Sequence, residues 1–236
     1  MSELKKLDQA AIEAVARHFS ATWEKGENPP DACIKSARRR VAVEVAAIKQ
    51  GIADRGALTE PRLRCDKVAV ALVERLRDAL RESVPDGKAV IFTVTAPIRL
   101  PSKTAAALED KIRTSLARRS AHVALKDAIH GNRVRIWLVA HDARRTSRVI
   151  GFVHNPDTNP DLLLDMTRSM LECIGSVVCG RAAARSEDER WLIVTSAAER
   201  PHIETYRHIC SQLFVPTEFT KTLMVFAGGR VETLAE

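Results

Sequence analysis

The sequence predicts an α/β protein, because segments with apolar residues at helical spacing alternate with short β-branched runs. Three stretches carry that prediction. Leu7 to Glu24 sets Ile12, Val15, Ala16, Phe19 and Trp23 on one stripe, as an amphipathic helix does. Arg40 to Ile48 is apolar on both faces apart from Glu44, the pattern of an inner strand. Glu189 to Val194, with Trp191 at its centre, reads as a second buried strand. At 236 residues and 45% hydrophobic side chains, the chain can bury a full core, either as one domain or as one domain with a large insertion.

After the leading helix, Gly26 to Lys49 reads as a β-hairpin with arms Asp31 to Lys35 and Arg40 to Ile48, joined by the basic turn Ser36 to Arg39. A turn centred between Ala37 and Arg38 sets Asp31 opposite Glu44. Directly opposed side chains have Cβ atoms roughly 5 Å apart, which brings two carboxylates within reach of one divalent cation. Without a cation or a basic neighbour, such a pair repels and one pKa rises. The ordinary alternative for Glu44 is a structural ion pair with one of Arg38 to Arg40.

The middle of the chain has its own alternation. Asp66 to Ser83 is an amphipathic helix, Pro85-Asp86-Gly87 a turn and Ala89 to Ala96 a strand; Ser102 caps a helix through Arg118. Val123 to Asp127, Arg133 to Ala140 and Arg148 to His154 read as strands, with His130-Gly131-Asn132 as a turn. Further on, Leu163, Met166, Met170 and Ile174 mark a helix over Asp161 to Arg185, with Arg181 and Arg185 on one face near its end. Thr222 to Phe226 is a strand, and Gly228-Gly229 a hairpin turn leading to Val231.

Net charge is +7, from 37 basic and 30 acidic side chains, a balance that favours a polyanionic partner. The clusters Arg38 to Arg40, Arg118-Arg119 and Arg144-Arg145 are phosphate-binding candidates, although each alone is more often a solvated turn or helix end. Five cysteines with no C-x-x-C pair argue against a structural zinc site and a disulfide framework, and so for a reducing cytoplasm. No apolar run approaches the ~18 residues of a membrane span, and MSELKKLDQA has no signal-peptide core. The seven histidines show no i,i+4 pair of the kind found in helical zinc sites. No Gly-x-Ser-x-Gly elbow and no phosphate-loop lysine are present, so nucleophilic-serine and P-loop chemistry have no support.

Pro30-Asp31, a spacer, and Glu44 inside a hydrophobic strand resemble the PD-(D/E)XK nuclease-like superfamily, the restriction-endonuclease-like fold. The leading helix, the helix ending near Arg181 and Arg185, and the Trp191 strand extend the resemblance to the other end of the chain. It implies a mixed sheet flanked by helices as a single domain over 1–236, with 66–158 as a large α/β insertion or sheet extension. It further implies that Asp31 and Glu44 hold Mg²⁺, that Glu13 on the first helix completes the metal shell, and that the substrate is nucleic acid, cleaved by a homodimer in many members.

The family's lysine, two residues after the second acid, is Ala46 here, and Lys49 falls on the opposite face of the strand. Where that lysine comes from a neighbouring helix instead, Arg181 and Arg185 are the matching positions; arginine clamps phosphate but stays protonated and is a poor base. Two functions follow. One is Mg²⁺-dependent phosphodiester hydrolysis with Asp31, Glu44, Arg181 and Arg185 in the catalytic site. The other is a catalytically degenerate nucleic-acid-binding or protein-interaction module of the same fold. What lies beside Glu44 discriminates them.

Overall fold

In the computed structural model, which describes residues 6–26, 30–36, 39–48, 61–117, 123–141, 147–179, 189–197, 202–213 and 219–236, the run that carries Glu44 is an inner strand, as its two apolar faces require. The elements in chain order are α1 (Lys6–His18), β1 (Thr22–Lys25), β2 (Ala32–Ser36), β3 (Arg39–Ala47), α2 (Lys67–Leu80), β4 (Lys88–Thr95), α3 (Pro101–Ala117), β5 (Val123–Ile129), β6 (Asn132–Ala140), β7 (Val149–His154), α4 (Pro160–Cys179), β8 (Glu189–Ser196), α5 (Ile203–Leu213), β9 (Lys221–Phe226) and β10 (Val231–Ala235). The protein is α/β. It divides into two compact units, Met1–Gly56 with Ser169–Glu236, and Ala57–Arg168, so that the division falls within α4.

The first unit holds a mixed sheet in the order β1-β2-β3-β8-β9-β10. β1, β2 and β3 form an antiparallel meander, β8 runs parallel to β3, β9 parallel to β8, and β10 returns antiparallel. α1 covers one face: Ala11, Ile12, Ala14 and Val15 pack with Ala32, Ile34, Val41, Val43, Trp191, Ile193, Leu223 and Val225. α5 lies on the other face, where Arg207 donates to the Thr233 carbonyl at 2.9 Å and pairs with Glu232 at 3.0 Å.

α1 is shorter than its apolar stripe. It stops at His18; Ser20 takes φ 51°, and the Ala21 amide donates to the Ala16 carbonyl at 2.8 Å. Trp23 leaves the helical stripe for a strand because it pairs with Ile34, with Thr22 opposite Lys35. Cross-strand pairs of aromatic and β-branched residues outweigh helical periodicity here.

The second unit has a four-stranded sheet, order β5-β6-β4-β7, with β7 parallel to β4 and the remaining pairs antiparallel. α2 and α3 cover one face through Leu72, Leu76, Leu80, Leu108 and Ile112, which pack on Val90, Phe92, Val134, Ile136 and Leu138. This unit begins earlier in sequence than the 66–158 alternation suggests. Residues 61–66 run beside β7, with the Arg64 amide donating to Val153 at 2.8 Å and the Asn155 amide to Arg62 at 3.0 Å. Asp66 ends that run by capping α2, its side chain accepting from the Ala69 amide at 3.1 Å. Pro101, not Ser102, opens α3, in the first helical position where its missing N–H costs nothing. His130 and Gly131, at φ 49° and 78°, form the two-residue turn between β5 and β6, whose twist matches the flanking strands.

Gly151 is fixed by packing. It stands beside Phe92 in the β4–β7 register, and a Cβ there would lie 2.2 Å from the Phe92 ring, which is fully buried. Gly151→Ala should therefore destabilise this unit by about 1–3 kcal/mol, read by Trp137 fluorescence in urea. Gly175→Ala in α4, where nothing lies within 4 Å of the new carbon, should be neutral or gain up to about 1 kcal/mol. Equal effects of the two would refute the packing argument.

His154 is buried, its Nδ1 bonded to the Asn155 carbonyl at 2.8 Å. Burial first, then the Arg133 and Arg135 guanidiniums, push its pKa below the ordinary histidine value, against the pull of that hydrogen bond and of Asp157. The unfolded chain thus binds the proton more readily. The stabilising contribution is complete above about pH 6.5 and is lost as pH falls through the lower folded value. Denaturation midpoints measured between about pH 7.5 and 5 should fall more for wild type than for His154→Gln; parallel curves would refute this.

Candidate acid site on the inner strand

The β2–β3 register runs Ser36 opposite Arg39 to Ala32 opposite Val43, so the hairpin is centred between residues 37 and 38. Continued by one residue, it sets Asp31 opposite Glu44, and the Asp31 amide donates to the Val43 carbonyl at 3.0 Å. Both acids sit on the sheet face away from α1, because Val43 and Val45, on either side of Glu44, pack on the α1 side.

Their surroundings differ. Glu44 is 1% exposed and its Oε1 accepts a hydrogen bond from the Arg190 guanidinium. Arg190 is carried on β8 opposite Ala42, which aims it along the same face, and its guanidinium lies 5.2 Å from the centre of the Phe219 ring. Burial, a charged partner and an aromatic lid together make a low-dielectric ion pair. Asp31 is half-buried and bonded to the backbone: its Oδ2 accepts from the Val45 amide at 2.9 Å. That bond extends the β2–β3 ladder by one rung beyond the strand.

Glu13 is not brought to these acids. It lies on α1, across the sheet from Glu44, where it accepts from Gln9 at 2.9 Å one helical turn away. Arg181 and Arg185 lie outside the described residues. Lys49, Arg38, Arg118, Arg119, Arg144 and Arg145 do so as well. Ala46, two residues after Glu44, stands beside Val194 and is 7% exposed. Arg39 and Arg40 do not reach Glu44 as the sequence suggested; Arg39 pairs with Glu189 at 3.5 Å and Arg40 with Glu24 at 3.3 Å. Glu24 also holds Lys35 at 2.5 Å, and that bond, with the two cations, draws its pKa down.

The residue that sequence reasoning missed is Arg190. Alternation in Glu189 to Val194 does place it on one face with Leu192 and Val194, but nothing local says that β8 lies beside β3.

Fitted to a cation, the donor set falls short. Glu44 Oε1 is engaged by a guanidinium, Asp31 Oδ2 by a backbone amide, and Glu13 is across the sheet. Among the described residues no three His, Cys, Asp or Glu side chains gather to hold a metal. Cysteine chemistry is disfavoured in this unit as well: the buried Cys210 thiol, next to Cys173, is pushed up to about 12 by desolvation.

Comparison of the chain with protein-family models, with curated proteins and with solved structures gives no match. Among the described residues no helix is long and apolar enough to cross a membrane.

Arg190→Ala should cost about 3–5 kcal/mol, because it strands a buried carboxylate. Glu44→Leu combined with Arg190→Leu should cost much less than the sum of the single changes, since removing both charges also removes their desolvation penalty. A double-mutant cycle by urea denaturation measures the coupling. A coupling energy below about 0.5 kcal/mol would show that the pair is not a unit.

Proposed function

We propose that this protein binds nucleic acid without cleaving it, and that its first unit is a nuclease-like module whose acids serve structure. The observation that carries this is the buried Glu44–Arg190 ion pair: the guanidinium holds the place beside Glu44 that the resemblance would give to a metal ion. A fixed, permanently protonated cation satisfies the acid electrostatically but supplies no Lewis acid and no activated water. Ala46 points the same way, since a methyl group stands where the resembled family has its lysine.

Support for the nuclease-like fold comes from the order of elements. A leading helix, an acid hairpin with 31 and 44 in register, a helix and a Trp-bearing strand all contribute to one unit, in the sequence on which the resemblance rests. Support for a polyanionic partner comes from the +7 net charge. The buried thiols of Cys33, Cys173 and Cys210, not joined in disulfides, suit a reducing cytoplasm.

Titration calorimetry of Mg²⁺ and Mn²⁺ into wild type and Asp31→Ala, followed by incubation of DNA and RNA with each ion, tests the proposal. The expected result is no saturable binding to the acids and no cleavage. Cleavage by wild type that disappears in a folded Asp31→Ala or Glu44→Ala variant would overturn it in favour of a metal-dependent nuclease.

A further inference from the structure

We propose that the β5–β6 hairpin of the second unit is the surface that grips the phosphodiester backbone of a nucleic acid, through Arg99, Lys126 and Arg133. This rests on the nucleic-acid reading above and locates it in the inserted unit.

Register places the charges. Lys126 stands directly opposite Arg135, and Arg133 lies two residues before Arg135 on β6, so all three share one face of the sheet. Opposed Cβ atoms are roughly 5 Å apart, a spacing at which like charges repel. Only Arg135 is relieved by an acid, Asp161 at 2.5 Å. The neighbouring acid on β5, Asp127, points to the opposite face and pairs with Lys111 of α3. Lys126 and Arg133 are exposed and have no acid partner among the described residues.

Arg99 is brought to the tip of the same hairpin by a dedicated side chain. Asn132, 2% exposed, accepts from the Arg99 amide at 2.7 Å and donates to the Arg99 carbonyl, to Thr104 Oγ1 and to the Ile129 carbonyl, each at 2.9 Å. One buried amide thus locks the Arg99 backbone to the turn. Its guanidinium lies over Gly131, with Nη1 3.2 Å from where a Cβ would stand, and it too is exposed with no acid partner among the described residues.

The floor between these cations is low. Exposed Ala124 and Ala128 flank Lys126 on the same face of β5, so no bulky side chain holds a polymer away from the strand. Three cations without an acid partner among the described residues, at the edge of a four-stranded sheet, complement a repeating anion. Among the described residues no Phe, Tyr or Trp is exposed on the patch, so recognition runs chiefly through the backbone.

The test is fluorescence anisotropy of a labelled single-stranded DNA and its duplex against wild type and an Arg99→Ala/Lys126→Ala/Arg133→Ala variant, over a range of salt, with circular dichroism to check the fold. The expected result is a loss of at least about tenfold in affinity, with the duplex slope of log K against log salt shallower by about 2–3. Equal affinity and slope in the two proteins would overturn this surface while leaving nucleic-acid binding by the protein intact. No DNA binding by wild type, including binding only to vesicles of anionic lipid, would overturn both proposals. Cleavage of the DNA in Mg²⁺ would overturn the earlier one alone.

Discussion

The contact between β3 and β8 is the joint on which the first unit depends, and the Glu44–Arg190 pair lies across it. These strands are parallel and come from distant parts of the chain, with the whole second unit between them. A parallel pair needs a long crossover and is paid for in loop entropy before its contacts form. Apolar contacts supply the driving force on the α1 side, where Val41 and Val43 meet Trp191 and Ile193. On the other face the ion pair supplies register. A slip by one residue would turn Arg190 toward α1 and leave Glu44 buried among apolar groups.

That constraint shapes the chemistry available to the hairpin. A carboxylate that anchors a strand register through a guanidinium already has its charge balanced. Asp31 is likewise engaged, holding the Val45 amide one residue before β2 begins. Around the turn, Lys35, Arg39 and Arg40 are matched by Glu24 and Glu189. The hairpin that looked most suited to phosphate is therefore largely neutralised.

In the second unit the charges are arranged the other way. Its core is apolar and tightly fitted, to the point that Phe92 leaves room only for glycine at position 151. Lys126 and Arg133 project from the β5–β6 hairpin and Arg99 lies over its tip, with no acid beside them among the described residues. In the proposed backbone grip these cations are presented by a folded sheet, which would leave little ordering entropy to oppose binding.

Local physics made much of this legible in the sequence. The palindromic spacing of the hairpin gave its centre between residues 37 and 38 and hence the 31–44 register, because strand alternation and a short turn leave few alternatives. His130-Gly131 marked its turn, and Gly228-Gly229 lies between β9 and β10, since both need backbone angles that few residues accept. Helix ends were less legible: the apolar stripe from Ile12 to Trp23 is continuous in sequence, and only the pairing of Trp23 with Ile34 reveals that the helix stops at His18. What tertiary structure alone decided is which strands are neighbours. Sequence determines that Glu44 is an acid in a buried strand, but its partner, Arg190, arrives from β8. Glu13 is likewise carried to the far side of the sheet by the packing of α1. Side-chain alternation is local, whereas strand adjacency is set by burial summed over the whole sheet.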